Sequence, residues 1–329
     1  MELKFYKYFG ISVDLAVEAH DIVRGQLGRE IPGAIVDKEK YEHCTVTTVR
    51  IVEDSAVELM GKPKGNYITI ESPALRDNER NAQNEVAQIL SRKLSELINV
   101  PENATVLLVG LGNWHATPDA LGPRVIDKSM VTRHLYRYAP DEIKNGMRPV
   151  CAIAPGVLGL TGIETAEIIK GVVEKVQPEL IIVVDALAAG SVERIATTIQ
   201  IADSGIRPGS GTGLGINRLG INAESMGVPV IALGVPTVVH AAVIARSAID
   251  KFLEQIQKTP VLDQIYKSMR PDFLESLIEN ILRPYASRLM VTPKEIDTLI
   301  LNISKVVAGG ISMALHPSIS HEEYTMYLN

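Results

Sequence analysis

The stretch ELIIVVDAL at residues 179–187 decides the fold of this chain. Its centre is an unbroken run of Ile and Val, without the alternation of polar and apolar side chains that marks a half-exposed strand. A strand that is apolar on both faces is typical of a parallel sheet covered by helices. Two further apolar runs, TVLLVGL at 105–111 and VPVIALGV at 228–235, predict neighbouring strands of the same kind.

Segments with helical periodicity lie between or after these strands, near residues 119–137, 162–176 and 237–257. Apolar side chains in the middle segment recur at the spacing of one helical face. Strands that alternate with helices predict an α/β fold, a doubly wound and mostly parallel sheet flanked by helices. A further strand is expected at 197–205.

The two ends of the chain follow other patterns. Residues 43–51 and 66–72 alternate like half-exposed strands, and residues 77–98 predict an amphipathic helix. Beyond residue 258 helices dominate, one at 272–286 and another that opens at Thr292 with Pro293 in its first turn. These shifts divide the chain into an N-terminal strand and helix region at 15–100 packed on the core, an α/β core at 101–258, and a C-terminal helical region at 259–329.

Composition excludes several classes of protein. The chain has 329 residues, 46% of them hydrophobic, and a net charge of −6, and no Lys/Arg cluster marks a nucleic-acid surface. No window reaches the ~18 consecutive apolar residues of a membrane span, and the N-terminus lacks a secretory signal. Cys44 and Cys151 do not form a disulfide framework or a metal-binding spacing. A cytoplasmic protein without a cofactor is expected.

Two aspartates follow predicted strands and are the first candidates for chemistry. Asp119 lies in GNWHATPDALGP at 112–123, directly after the run at 105–111, and Asp185 lies at the carboxyl end of the Ile and Val run in 179–187, where that run stops. Ligands of open α/β sheets bind outside the carboxyl ends of the strands, so both side chains are expected in one crevice. Two carboxyl groups in one site share a proton and supply a general base and a general acid. The alternative is that each aspartate caps a helix or a turn.

Two other features of the sequence are candidate sites. His240 follows the third run, and with Asp119 and Asp185 it would form a ligand set for a divalent ion; alternatively it is an ordinary polar residue. The glycine-rich stretch 204–218 lacks the lysine and hydroxyl of a phosphate-binding loop, which predicts a surface loop. No serine or cysteine lies in a recognisable nucleophile motif.

Several segments together resemble one protein family. VGLGN followed by TPDALGP, then IIVVDALAA, IQIADSGIRPGSG and VVAGGISMALH, with SVDLAVEA near the start, resemble the germination proteases of spore-forming bacteria along almost the whole chain. That family resembles the hydrogenase-maturation endopeptidases in fold. The resemblance implies a homotetrameric endopeptidase of the forespore and spore core, which begins the degradation of small acid-soluble spore proteins during germination.

The resemblance also implies roles for particular residues. The essential carboxylates of the family lie in TPDALGP and DALAA, which correspond to Asp119 and Asp185, and a pair of aspartates that activates water is expected. Asn113, His115 and His240 are candidates for contact with the substrate or with the oxyanion. At position 240 the chain departs from the family pattern, which has aspartate there.

The family cuts itself, and SVDLAVEA aligns with the segment where it does so. The bond between Asp14 and Leu15 is therefore the implied site, with residues 1–14 as the propeptide of a zymogen. This segment is rich in aromatic residues and suited to docking in an apolar groove, although an edge strand or a frayed terminus is the alternative.

Two other functions stay open on the sequence. One is a metal-dependent or metal-sensing maturation endopeptidase with Asp119, Asp185 and His240 as ligands. The other is a binding module without catalysis, in which the aspartates only cap helices.

Overall fold

A computed structural model describes residues 5, 6, 11, 13–138, 146–206, 219–258, 273, 276, 280 and 289–319. Within these residues nine strands form one sheet. In chain order they are β1 (Ala34–Lys40), β2 (Thr45–Ile51), β3 (Gly65–Glu71), β4 (Val106–Gly110), β5 (Val150–Ile153), β6 (Leu180–Ala189), β7 (Thr198–Ala202), β8 (Val230–His240) and β9 (Met290–Val291).

Helices connect and cover the strands. The described helices are α1 (Ala16–Leu27), α2 (Asp54–Met60), α3 (Arg80–Leu97), α4 (Leu121–Lys128), α5 (Leu135–Tyr138), α6 (Leu158–Thr161), α7 (Thr165–Val176), α8 (Ala223–Met226), α9 (Ala241–Gln257) and α10 (Ile296–Leu315). Most of the helix predicted at 272–286 and most of the glycine-rich stretch 204–218 lie outside the described residues.

The strand order across the sheet is β1-β2-β3-β7-β8-β6-β4-β5, with β9 paired to β8. The strands β8, β6, β4 and β5 are parallel, whereas β1, β2, β3 and β7 form an antiparallel half. The α/β class with a helix-flanked sheet is confirmed, and the three apolar runs become β4, β6 and β8. Because β3 pairs with β7, the predicted N-terminal region and the predicted core share one sheet.

The parallel strands are apolar throughout because both of their faces are covered. On one face α3, α4 and α10 pack on Leu108 of β4 and Ile182 of β6. On the other face Ile169 of α7 packs on Leu107 and Ile181. By length and composition α10 is, among the described residues, the one helix that would pass as a membrane span, but most of it is buried inside the protein. It is a core helix.

Two element boundaries differ from the sequence-based expectation. The helix expected from residue 237 begins at Ala241, because β8 continues to His240 beside an equally extended β6. Pro236 lies where the pairing register shifts, which accommodates a proline inside the sheet. The helix expected from Thr292 begins at Ile296. The Thr292 hydroxyl instead donates to the carbonyl of Thr237, next to the short strand β9.

Candidate active site

Asp185 lies in a row of three residues that crosses the sheet. It pairs with Gly234 of β8, and Gly234 pairs on its other side with Gln200 of β7. Residues opposite one another in a ladder point to the same face, and two strand spacings separate Asp185 from Gln200 by roughly 10 Å. Asp185 is 8% exposed. The row therefore places an aspartate and an amide side chain on one face, with no side chain between them.

A cleft of about 630 Å³ opens on this face. Its walls include Gly234, Gln200, Leu187, Tyr67, Lys62 and Asp14. The polar groups in this set come from four different parts of the chain, namely the segment before α1, the segment between α2 and β3, β3 itself, and β7. Asp14, from the segment before α1, is the residue that precedes the predicted self-cleavage bond.

The Asp14–Leu15 peptide is bound in this cleft through both side chains and backbone. The carbonyl oxygen of Asp14 accepts hydrogen bonds from Lys62 Nζ at 2.8 Å and from Gln200 Nε2 at 3.3 Å. Its side-chain Oδ2 accepts from the N–H of Ala188 at 3.0 Å. On the other side of Leu15, the N–H of Ala16 donates to Gln200 Oε1 at 2.6 Å. Gln200 therefore brackets the predicted cleavage site.

The side chain of Leu15 fixes the same segment by apolar contact. It is fully buried and packs with Val17 and Leu187. Leu187 reaches this position because Gly234 lies beneath it, since a Cβ at position 234 would lie 2.3 Å from Leu187 Cδ1. The glycine in the row thus creates the site that receives Leu15.

Glu18 contacts the chain just beyond the end of β6, at Gly190. Its two carboxylate oxygens accept from the N–H of Gly190 at 3.0 and 2.9 Å, and Arg194 Nε lies 3.5 Å away. Burial raises the pKa of Glu18 to about 7, while Arg194 and the Gly190 N–H oppose that shift. Asp14 and Glu18 together attach the start of α1 to the last residues of β6 and the glycine after it.

Asp119 reaches the same edge of the sheet in a different way. It ends a short 3-10 turn, Thr117–Asp119, that contacts both β6 and β8. The turn folds back tightly on β4, because Gly112 has a φ of 117° and a Cβ there would lie 1.9 Å from the Asp119 carbonyl oxygen. The N–H of Asn113 donates to that same oxygen at 3.0 Å. The structure therefore places Asp119 against the strand that carries Asp185.

Neither aspartate is a helix cap. Asp185 lies inside β6, and the residue before α4 is Ala120, which makes no side-chain cap bond. The helix-capping alternative is therefore wrong for Asp185, and Asp119 is not the N-cap residue of α4. The other loop candidates have local roles, since Asn113 Oδ1 accepts from the N–H of His115 and the His115 side chain is exposed. In the described contacts, Lys62 and Gln200 donate to the Asp14 carbonyl, and Asn113 does not.

His240 does not join this group. It ends β8, six positions beyond Gly234, the residue paired with Asp185, which is roughly 20 Å along a strand. It is buried, with 1% of its surface exposed. Among the described residues, which include Asp119, Asp185 and His240, no group of three His, Cys, Asp or Glu side chains is arranged to hold a metal ion. The geometry gives no support to the three-ligand metal site.

Sequence reasoning missed Lys62 and Gln200. Lys62 lies in KPKGN, which reads as a solvated turn, and Gln200 is one polar residue in the strand IQIA. A buried amide in an otherwise apolar strand needs hydrogen-bond partners, and that was the signal available for Gln200. No comparable signal exists for Lys62.

The chain matches one known protein family. The model of a family described as germination protease matches residues 14–271 and 257–328 of the chain, so the match begins at Asp14. The chain belongs to the germination protease family. The resemblance found in the sequence is confirmed, and the chain is accordingly a member of a peptidase family.

Full-length relatives support the assignment. The germination protease of Clostridium perfringens is 46% identical over 98% of this chain and 100% of its own length. That of Caldanaerobacter subterraneus subsp. tengcongensis is 48% identical over 97% of this chain and 98% of its own, and that of Priestia megaterium is 40% identical over 97% of each. Among solved structures, the NiFe-hydrogenase maturation protease HycI of Thermococcus kodakarensis is 19% identical over 44% of this chain and 80% of its own, with a TM-score of 0.29.

The raised pKa of Glu18 predicts that the unfolding free energy of the protein falls as the pH rises. The folded protein holds the Glu18 proton up to about pH 7, whereas the ordinary value for glutamate is 4.5. The contribution to stability is therefore fully present below pH 4.5 and is lost as the pH rises through 7. Relative to the Glu18→Gln variant, we expect the wild-type protein to lose up to about 3 kcal/mol of unfolding free energy over this range.

Urea unfolding of both proteins at several pH values measures this difference. Glu167→Gln, an exposed position on α7, is the matched control and should show no such divergence from wild type. Parallel stability curves for wild type and Glu18→Gln between pH 4.5 and 8 would contradict the raised pKa.

Proposed function

We propose that this chain is an endopeptidase that begins the degradation of small acid-soluble spore proteins during germination. It is made as a zymogen, cleaves its own Asp14–Leu15 bond, and uses Asp119 and Asp185 to activate water. One observation carries the proposal: the Asp14 carbonyl is hydrogen-bonded by Lys62 and by Gln200, and Gln200 lies in the row that contains Asp185. A peptide bond held in this way supports self-cleavage at this position.

Hydrolysis of a peptide bond by this pair needs one carboxyl group that is ionised and one that is protonated. The ionised one removes a proton from water as the water oxygen attacks the carbonyl carbon, and the protonated one delivers a proton to the departing nitrogen. Two carboxyl groups at one site favour this division, because mutual repulsion opposes ionisation of both. Asp119 and Asp185 share the two roles as a pair.

The same contacts account for a zymogen. Leu15 is fully buried, and Asp14 is held by three hydrogen bonds to its carbonyl and carboxylate oxygens. A protein substrate that needs the Lys62, Gln200 and Ala188 donors is excluded while Asp14 holds them. Cleavage between Asp14 and Leu15 frees the segment before the cut to leave.

The family resemblance leads us to propose two further properties. The protein acts as a homotetramer, and it is located in the cytoplasm of the forespore and later in the spore core. Light scattering on the purified protein tests the first, and fractionation of sporulating cells tests the second.

A digest of a purified small acid-soluble spore protein tests the proposed function. After incubation under mildly acidic conditions to allow self-cleavage, the protein should cut this substrate into discrete fragments, with or without a strong chelator. Loss of cutting in chelator, restored by a divalent ion, would favour the metal-dependent alternative. No cutting under any condition would favour a binding module.

A further inference from the structure

We infer that Lys62 and Gln200 form the donor pair that holds the carbonyl oxygen of the cleaved bond and stabilises the negative charge that develops on it. This inference rests on the proposed function, because it assigns the reacting carbonyl to Asp14. It concerns residues outside the two aspartate motifs. The pair replaces Asn113 as the candidate for contact with the oxyanion.

The geometry at the oxygen fits this role. Lys62 Nζ donates at 2.8 Å and Gln200 Nε2 at 3.3 Å to one carbonyl oxygen, from two separate parts of the fold. Donors on a carbonyl oxygen strengthen their bonds as the oxygen gains charge during attack. Two donors at one carbonyl oxygen form an arrangement suited to an oxyanion.

Gln200 is oriented by the bound segment itself. Its Oε1 accepts from the N–H of Ala16 at 2.6 Å, which directs its Nε2 toward the Asp14 oxygen. One amide thus contacts the chain on both sides of Leu15. An extended segment whose backbone does not present both groups would leave Gln200 half-bonded and would bind less well.

Lys62 supplies the second donor. It is half-buried, and burial lowers the pKa of Lys62, while the Asp14 and Glu18 carboxylates oppose the shift. A hydrogen bond from an ammonium group is stronger than one from a neutral donor, and more so in a site with little water. In its charged form Lys62 therefore contributes most when the carbonyl oxygen becomes an oxyanion.

The step is balanced without any added reagent. The water oxygen forms a bond to the Asp14 carbonyl carbon, the carbonyl π electrons move to the oxygen held by Lys62 and Gln200, and one water proton passes to the carboxylate pair. The C–N bond to Leu15 then breaks, and its nitrogen takes a proton from the pair. The products are a carboxyl group on Asp14 and an amino group on Leu15.

The alternative is that Lys62 and Gln200 only anchor the segment. The test measures the first-order rate of self-cleavage in the full chain and divides it by the fraction of molecules in which the segment is docked. Docking is measured as protection of residues 13–27 from hydrogen exchange, with Asp185→Asn added to each variant so that the segment stays intact. Dividing the cleavage rate by the docked fraction removes the part of any rate change that comes only from weaker docking of the segment.

We expect Lys62→Met and Gln200→Leu each to lower this corrected rate by about 100-fold, the typical loss for one oxyanion donor. Lys62→Arg should restore part of the loss because it returns a charged donor. Lys64→Met is the matched control, since Lys64 pairs with Asp54 outside the cleft and should leave the rate unchanged.

Each outcome decides one question. A corrected rate close to that of the wild type in Lys62→Met would overturn the inference and leave an anchoring role. If the wild-type chain itself does not shorten, the proposed self-cleavage fails instead, and the two failures are distinct.

Discussion

Asp185→Asn and Asp119→Asn are each expected to reduce cleavage of the Asp14–Leu15 bond and of protein substrate by roughly 10³-fold or more. The change is nearly isosteric but removes an ionisable oxygen. A pair that shares one proton loses both its base and its acid when either member is neutralised. For the same reason the double variant should be no slower than the slower single variant, because residues that act as a unit have non-additive effects.

The measurement is the rate of appearance of the shortened chain, with circular dichroism to confirm folding. Asp250→Asn is the matched control, because Asp250 forms an ion pair with Arg246 on α9 and is expected to leave activity intact. Substantial cleavage by a correctly folded single variant, or losses that multiply in the double variant, would rule out the pair.

The second large effect concerns residues 1–14. The full-length protein should fail to cut substrate, and incubation under mildly acidic conditions should give a chain that begins at Leu15 and cuts it. The reason is competition for donors: the Asp14 carbonyl already holds Lys62 and Gln200, and Gln200 lies in the same row as Asp185 and Gly234. A mildly acidic medium also favours the singly protonated carboxylate pair.

N-terminal sequencing of the product identifies the bond that is cut, and a substrate digest before and after processing measures the gain in activity. Full-length Asp185→Asn is the control and should keep its original N-terminus. Equal activity of the full-length and shortened chains would show that residues 1–14 do not inhibit.

Much of the fold follows from local patterns in the sequence. The runs at 105–111, 179–187 and 228–235 became β4, β6 and β8, because strands buried on both faces must be apolar throughout. The polar strand β1 gave no such signal, since nearly all of its side chains are exposed at the edge of the sheet. Strand β5 has four residues, too few for a periodic pattern.

The site was predicted in part. The strand-end argument expected Asp119 and Asp185 in one crevice. Asp185 lies inside β6, which runs on to Ala189, and the turn that ends at Asp119 contacts this strand. His240 was grouped with them because β8 was expected to end near residue 235. The strand runs on to His240, and its register with β6 sets the two residues apart.

The sequence by itself determined what depends on neighbours along the chain: the parallel strands, the helices that cover them, the two aspartate motifs and the membership in the germination protease family. Only the tertiary structure decided which distant segments meet at the cleft. Lys62, Gln200 and Asp14 come together through the pairing of β3, β7 and β8 and the docking of the segment before α1. Their contacts join residues 48 and 186 positions apart, and no local pattern encodes such a contact, because strand pairing and register fix it.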